Sequence, residues 1–257
     1  MVKQKKAAIA GRLGALRRNQ LYGNPGTPDG RSKGGRATIK LFQDHPDAAR
    51  LVGFVIRKEV ARPVKSEDLA ELFGVILGDG GFKGNHQLAV SFNYQTDFEY
   101  AQFVGNNIKR MFGLDYTICK RKSGNGADLI VGGTNLIDFL VRNGLRKGNK
   151  VSNQVSVPDW INGKFEYRIA CLRGLMDTDG GLYRHRYISN GKRYEYLKLC
   201  FTNYSRPLLI FVLNTLKQLR IRAYLNNNHV SIYALNDVRN YFLLVGSNNP
   251  KHVNRRN

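Results

Sequence analysis

Two aspartates stand where paired carboxylates could do chemistry. Asp79 closes the run Leu69-Ala70-Glu71-Leu72-Phe73-Gly74-Val75-Ile76-Leu77-Gly78-Asp79-Gly80-Gly81. Asp179 closes Ile169-Ala170-Cys171-Leu172-Arg173-Gly174-Leu175-Met176-Asp177-Thr178-Asp179-Gly180-Gly181, and adding 100 to each number of the first run gives the second. Ala, Leu, Gly and the terminal Asp-Gly-Gly recur in register. Two carboxylates at equivalent ends of two similar helices would repel each other, and one would resist ionising. A hard divalent cation resolves that conflict, so Mg²⁺ is the expected cofactor. A helix carboxyl end also carries partial negative charge and carbonyls without intrahelical partners. The carbonyls of Gly78 and Thr178 therefore join Asp79 and Asp179 as candidate metal ligands. Gly80 and Gly180 are expected to supply a left-handed turn after each helix. Asp-Gly alone is a common hairpin turn, and it is the duplication in register that points to a site. Asp177-Thr178-Asp179-Gly180 is not an EF-hand loop, because its glycine comes too early and no Glu closes it.

The elements that must position this pair follow from periodicity. Leu69, Leu72, Phe73, Ile76 and Leu77 have the spacing of an apolar helix face. Ala70, Gly74 and Gly78 form a separate stripe of small residues at intervals of four, matched by Ala170, Gly174 and Thr178. Small residues so spaced let two helix backbones approach closely. The motif helices are therefore expected side by side with their carboxyl ends together. Ser66 is the expected cap of the first, with Glu67 and Asp68 in its first turn.

The order of elements also reads twice. After the first motif helix come a hairpin with a strand at 87–94, a helix from Thr96 or Asp97 to about 112, strands at 116–121 and 128–132, and a helix at 135–141. After the second come strands at 182–188 and 194–202, a helix at 205–219, strands at 223–226 and 230–234, and a helix at 238–245. The fold class is thus α+β, with two pseudo-symmetric α-β-β-α-β-β-α halves. Domain bounds are set at 66–144 for the first half, 145–164 for a linker and 165–257 for the second half. Residues 1–65 form a basic N-terminal extension. In it a short basic helix is expected at 7–18, a break at 22–30, and a flexible basic loop at 31–36.

Composition supplies the partner class. The 257 residues hold 41 Lys+Arg against 19 Asp+Glu, a net charge of +22, and the pI is ≈ 10.1. Such a balance predicts a polyanion, most often nucleic acid. Residues 1–65 hold 15 Lys/Arg and 4 Asp/Glu, a net +11 and so half the excess. Cys119, Cys171 and Cys200 lack any paired spacing and read as thiols in a reducing compartment. No apolar run approaches a membrane span or a signal-peptide core, so a soluble intracellular protein is expected.

Leu72 to Gly80 and Leu172 to Gly180 resemble the nine-residue motif of the LAGLIDADG homing endonucleases, and the element order extends the resemblance over roughly 66–246. Two motifs in one chain are similar to the monomeric, pseudo-dimeric branch. The resemblance implies two antiparallel sheets forming a DNA-binding saddle, with Asp79 and Asp179 as metal ligands. It implies site-specific double-strand cleavage of a long asymmetric DNA site by a monomer. Leu77 departs from the motif where Asp177 keeps an acid, at a position that is not the family's ligand. The family also uses a basic residue and a Gln or Asn. Gln95, Lys198 and Asn203 are the candidates for these catalytic roles. Thr134 and Asn236 stand where some relatives carry a lysine, which leaves the basic role open.

Strand alternation points to nucleic acid independently. Tyr196, Lys198 and Cys200 share one face of their strand, and Leu197, Leu199 and Phe201 the other. A two-stranded ribbon can enter the major groove and read base edges. The expected DNA contacts are Arg184, Arg186, Asn190, Lys192, Arg193, Tyr196 and Lys198 in the second half, with Lys83, Asn93, Lys120 and Lys122 in the first. Alternative functions are an intron-RNA maturase and a catalytically inactive DNA-binding regulator; retention of both acids argues against the second. An intein is disfavoured by the residues at the chain ends, and the five histidines are too isolated for a histidine nuclease.

Overall fold

Ser66 starts the first motif helix as a side-chain cap, its Oγ accepting from the Leu69 amide at 3.3 Å. In a computed structural model that describes residues 2–256, with side chains for 9–254, this helix (α4, Glu67–Gly78) is buried from Leu69 to Gly78. The chain divides into two compact units, Met1–Arg57 and Lys58–Asn257.

The first unit holds α1 (Val2–Tyr22), α2 (Pro28–Asp44) and α3 (Pro46–Leu51). Three expectations are corrected by these helices. The basic helix is longer than 7–18, and 31–36 is helical rather than a loop. The break expected at 22–30 ends at Thr27, whose hydroxyl accepts from the Gly30 amide at 3.1 Å. Pro28 then occupies the first turn, where a missing N–H costs nothing. Gly30 is buried because a Cβ there would fall on the Asn24 carbonyl. Its glycine thus serves packing within a helix.

The second unit carries the repeat. Its first half runs α4, β1 (Gly80–Lys83), β2 (Gln87–Asn93), α5 (Phe98–Phe112), β3 (Tyr116–Lys120), β4 (Gly126–Gly132) and α6 (Thr134–Arg142). A short helix, α7 (Asp159–Asn162), lies in the connection. The second half runs α8 (Phe165–Asp179), β5 (Gly180–Ser189), β6 (Lys192–Thr202), α9 (Arg206–Gln218), β7 (Tyr224–Asn226), β8 (His229–Ile232) and α10 (Leu235–Leu244), and α11 (Pro250–Arg256) follows. The sheets have equivalent antiparallel orders, β1-β2-β4-β3 and β5-β6-β8-β7. The connection is more than a tether. Val155, Val157 and Ile161 are buried, and the Trp160 ring meets Phe73 edge-on at 5.3 Å.

Register divides each sheet into two faces. Val90, Leu129 and Ile118 align in the first, as do Phe201, Val230 and Leu225 in the second. These residues face the helices and join one core. Each fully buried aliphatic or aromatic side chain contributes roughly 1.5–3 kcal/mol. The opposite faces carry Lys83, Gln87 and Ser91 in one sheet and Tyr183, Lys198 and Thr202 in the other. No described helix is long and apolar enough to cross a membrane.

Candidate metal centre and nucleic-acid faces

The small-residue stripe brings the two motif helices into backbone contact. A Cβ on Gly74 would fall on the Cys171 carbonyl, and one on Gly174 would fall on the Glu71 carbonyl. These two clashes are equivalent contacts, one made by each helix, since Glu71 and Cys171 occupy equivalent motif positions. At the carboxyl end, a Cβ on Gly78 would strike Thr178 Oγ1 and lie 3.4 Å from Asp179 Oδ2. Gly80 and Gly180 correct the expected left-handed turn. Gly180 is extended, with φ −87° and ψ 155°, and Gly80 is not among the positive-φ glycines. Both are glycine because a Cβ would run into the preceding turn, at Ile76 and Met176 respectively.

Asp79 caps α4 and Asp179 is the last residue of α8. Burial and the neighbouring Asp179 charge push the Asp79 carboxyl up to about 6. Burial also raises Asp179, opposed by a hydrogen bond from Asn203 and by the Lys150 charge. The Asn203 amide donates to Asp179 Oδ2 at 2.7 Å, so this sequence candidate does reach the acids. Thr178 spends its hydroxyl within its own helix, donating to the Gly174 carbonyl at 2.9 Å.

Two lysines that motif reasoning missed complete the centre. Lys150 Nζ donates to the carbonyls of Leu77 at 3.1 Å and Ile76 at 3.4 Å, and also to that of Gly78. Burial lowers the Lys150 ammonium, while Asp179 and Asp79 hold it up. Lys251 pairs with Asp97 at 2.8 Å, and its charge also acts on Asp79. Asn249 ties this segment down by donating to Asp97 Oδ1 and to the Asp177 carbonyl, each at 3.0 Å. Asp79, Asn93, Asp97, Asn249 and Lys251 line a cavity of about 60 Å³. The signal for these lysines was present in the repeat. Each half's last helix is followed by a positive-φ glycine, Gly144 or Gly246, and then, six or five residues on, by Lys150 or Lys251.

Among the described residues no group of three or more His, Cys, Asp and Glu gathers as a metal cluster. The centre instead offers two carboxylates and helix-end carbonyls. That set fits a hard divalent cation whose remaining positions go to water and phosphate oxygens. The Lys150 ammonium on the same carbonyls demonstrates that this helix end attracts positive charge.

Gln95 and Lys198 do not join the acids. The Gln95 side chain accepts from Asn125 at 3.0 Å in the turn after β2. Lys198 lies over the Tyr233 ring, 5.0 Å from its centroid. Among the described residues, the lysines whose charge acts on Asp79 are Lys150 and Lys251.

The expected DNA contacts fall into different settings. Arg184 and Arg186 share a face with buried Leu182 by alternation, and both are bound to Glu195, at 2.9 and 2.7 Å. Asn190 forms the β5–β6 turn with Gly191, at φ 49° and 73°. Lys192 and Arg193 are exposed beside that turn, and Tyr196 stacks on Tyr187 at 5.8 Å. In the first half, Lys83 pairs with Asp128 at 3.3 Å, and Lys120 lies over Tyr94 at 5.1 Å. Lys122 is exposed in the β3–β4 connection. Asn93 accepts from the amides of Gln95 and Thr96.

The chain has the LAGLIDADG homing endonuclease fold, in its single-chain arrangement of two halves. A variant of the endonuclease I-SmaMI superposes with a TM-score of 0.52 at 10% identity, covering 75% of this chain and 89% of that one. The I-LtrWI LAGLIDADG homing endonuclease bound to target DNA superposes at 0.50 and 11%, covering 74% and 88%. I-SmaMI bound to uncleavable DNA gives 0.50 and 12%, covering 76% and 88%. No protein-family model matches the chain, and no curated protein matches it in sequence. The likeness is therefore one of fold.

Proposed function

We propose that the chain is a site-specific double-strand DNA endonuclease that hydrolyses phosphodiester bonds with a divalent cation, Mg²⁺ by the hardness of its oxygen ligands. The observation that carries this reading is the meeting of Asp79 and Asp179 at adjoining helix ends. I-LtrWI and I-SmaMI, which share the fold, are bound to DNA in their structures. A net charge of +22 suits the same partner.

Asp79 and Asp179 would hold the cation, and the carbonyls of Thr178 and, on displacement of Lys150, of Gly78 would add to them. When bound, it supplies charge stabilisation of the transferring phosphate and a more acidic water. Asn203 fixes the rotamer of Asp179 through its 2.7 Å hydrogen bond. Lys150 and Lys251 bring positive charge to a partly desolvated centre, where it acts on developing phosphate charge more strongly than in water. Lys150 is also placed to give a proton to a leaving oxygen, because burial makes its ammonium a stronger acid. The protein acts as a monomer whose halves each cover half of a long asymmetric site. In this reading 66–144 and 165–257 are the two halves, 145–164 joins them, and 1–65 adds basic charge along the duplex.

The test is cleavage of the source locus, with any intervening element removed, in Mg²⁺. Cutting by the parent, with none by Asp79→Asn or Asp179→Asn, is the expected result. Tight binding of that duplex without cutting would overturn the nuclease reading in favour of a regulator. Failure to bind the duplex, with binding to intron RNA, would replace it with a maturase.

A further inference from the structure

The outward face of the second sheet is built largely of tyrosine. The β5–β6 register sets Tyr183 opposite Lys198, His185 opposite Tyr196 and Tyr187 opposite Tyr194. Tyr224 pairs with Ser231, which in turn pairs with Cys200, so Tyr224 lies on the same face, as does Tyr233 by alternation. Tyr183, Tyr187, Tyr196, Tyr224 and Tyr233 are between 41% and 56% exposed, although tyrosine ordinarily covers its ring. The equivalent positions of the first sheet carry Lys83, Gln87 and Thr117, and no aromatic ring faces outward from β1–β4.

The rings are already stacked on each other. Tyr187 lies 5.2 Å from Tyr194 and 5.8 Å from Tyr196, with planes within 18°. A base inserted between two rings would need about twice the ~3.4 Å stacking distance, and the Tyr187 contacts are shorter than that. Tyr194 and Tyr196, 6.4 Å apart, are each already stacked on Tyr187. That arrangement suits the edges of paired bases rather than the faces of unpaired ones.

Side chains that read purines by paired hydrogen bonds lie at the margins of this face: Asn226 at the end of β7, Lys192 at the hairpin tip, and Lys198 held over the Tyr233 ring. No Arg, Asn or Gln occupies an outward position of β5 or β6; Arg184 and Arg186 are on the opposite face. Thymine presents something else in the major groove, a C5-methyl group that is read by apolar contact. The Tyr194 and Tyr196 centroids are 6.4 Å apart, close to two base steps of about 3.4 Å each. Exposed Lys192 and Arg193 at the tip would meet phosphates.

We infer that the second half recognises a thymine-rich half-site through its tyrosine edges, while the first half reads its own half-site by hydrogen bonds. This rests on the DNA-binding reading above and names the sequence class for one side of the site.

The test starts with the full chain and a randomised duplex library in Ca²⁺. In the duplex so selected, thymine is then replaced by deoxyuridine, which removes the methyl group and keeps every hydrogen-bonding group. Replacement in one half-site is expected to weaken binding by about fourfold per contacted methyl. Replacement in the other should leave binding unchanged. Tyr187→Ala or Tyr196→Ala should abolish the sensitivity, and Tyr187→Phe or Tyr196→Phe should keep it while reporting that the hairpin is intact. Selective binding with no deoxyuridine effect, or an equal effect in both half-sites, would overturn the inference and leave the DNA reading standing. So would a deoxyuridine effect that survives both alanine variants. Failure to select any duplex would sink the DNA reading itself. Preference for single-stranded RNA that is lost in the alanine variants would do the same.

Discussion

The two halves of the second unit agree at their shared helices and disagree at their sheets. At the helices, Gly74 and Gly174 make equivalent contacts with the partner backbone, and Asp79 and Asp179 stand at the carboxyl ends of those two helices. At the sheets, β1 is 4 residues long and β5 is 10. Ser91 donates to Asp128 at 2.8 Å where Thr202 meets His229 at 2.9 Å, so even the outward hydrogen-bond position recurs with altered chemistry. Lys83 and Gln87 give way to Tyr183 and Lys198. The lesson is physical. Close backbone contact admits very few side chains, so both copies of the interface keep the same ones. An outward sheet face packs against nothing inside the protein and is free to diverge toward what it binds.

Sharing at the centre is tested most severely by the acids. Asp79→Asn and Asp179→Asn are each expected to lower the cleavage rate by about 10³ or more, with DNA binding retained in a filter or mobility assay. A large loss from only one of them would break the equivalence. Next comes the packing. Gly74→Ala and Gly174→Ala should each cost roughly 3 kcal/mol in denaturant unfolding, since the helices must separate. Gly81→Ala and Gly181→Ala, where a Cβ meets nothing within 4 Å, should stay within about 0.5 kcal/mol.

The lysines sharpen the asymmetry. Lys150 acts on both carboxylates, whereas Lys251 is bound to Asp97. Lys150→Met is therefore expected to reduce single-turnover cleavage by about 10², and Lys251→Met by less. The pH dependence has a definite sign. Asp79 is raised to about 6 by burial and Asp179, so below that pH it carries a proton that a cation must displace. Cation affinity measured by calorimetry should fall by about tenfold per pH unit below 6 and level off above it. Asp79→Asn should reduce that slope to the part contributed by Asp179, which burial also raises. The smallest effect belongs to the hairpin tip: Lys192→Ser or Arg193→Ser should each lower the salt slope of DNA binding by about 1.

Much of this was legible in the residues. Ser66 was readable as a cap because Ser-Glu-Asp before an apolar run has one local solution. The two α-β-β-α-β-β-α halves were readable because hydrophobic period switches between strand and helix in the same order twice. Residues 31–36 misled, because Gly34 and Gly35 read as a loop while Thr27 and Pro28 nucleate a helix strong enough to carry them. Gly80 and Gly180 were readable as required glycines, but for the wrong reason: the constraint is a neighbouring turn and not a positive φ.

The sequence by itself determined the duplicated acidic helix ends, the order of elements and the basic charge, because these are local patterns or sums over the chain. Only the tertiary structure decided which cations reach the acids. The repeat sets a lysine after the last helix of each half, but only packing carries Lys150 back onto the α4 carbonyls and Lys251 across to Asp97 of the first half. It also decided which side of the hairpin each residue faces. Alternation groups residues, but register across four strands and a buried Leu182 fix the tyrosines outward and turn Arg184 and Arg186 away.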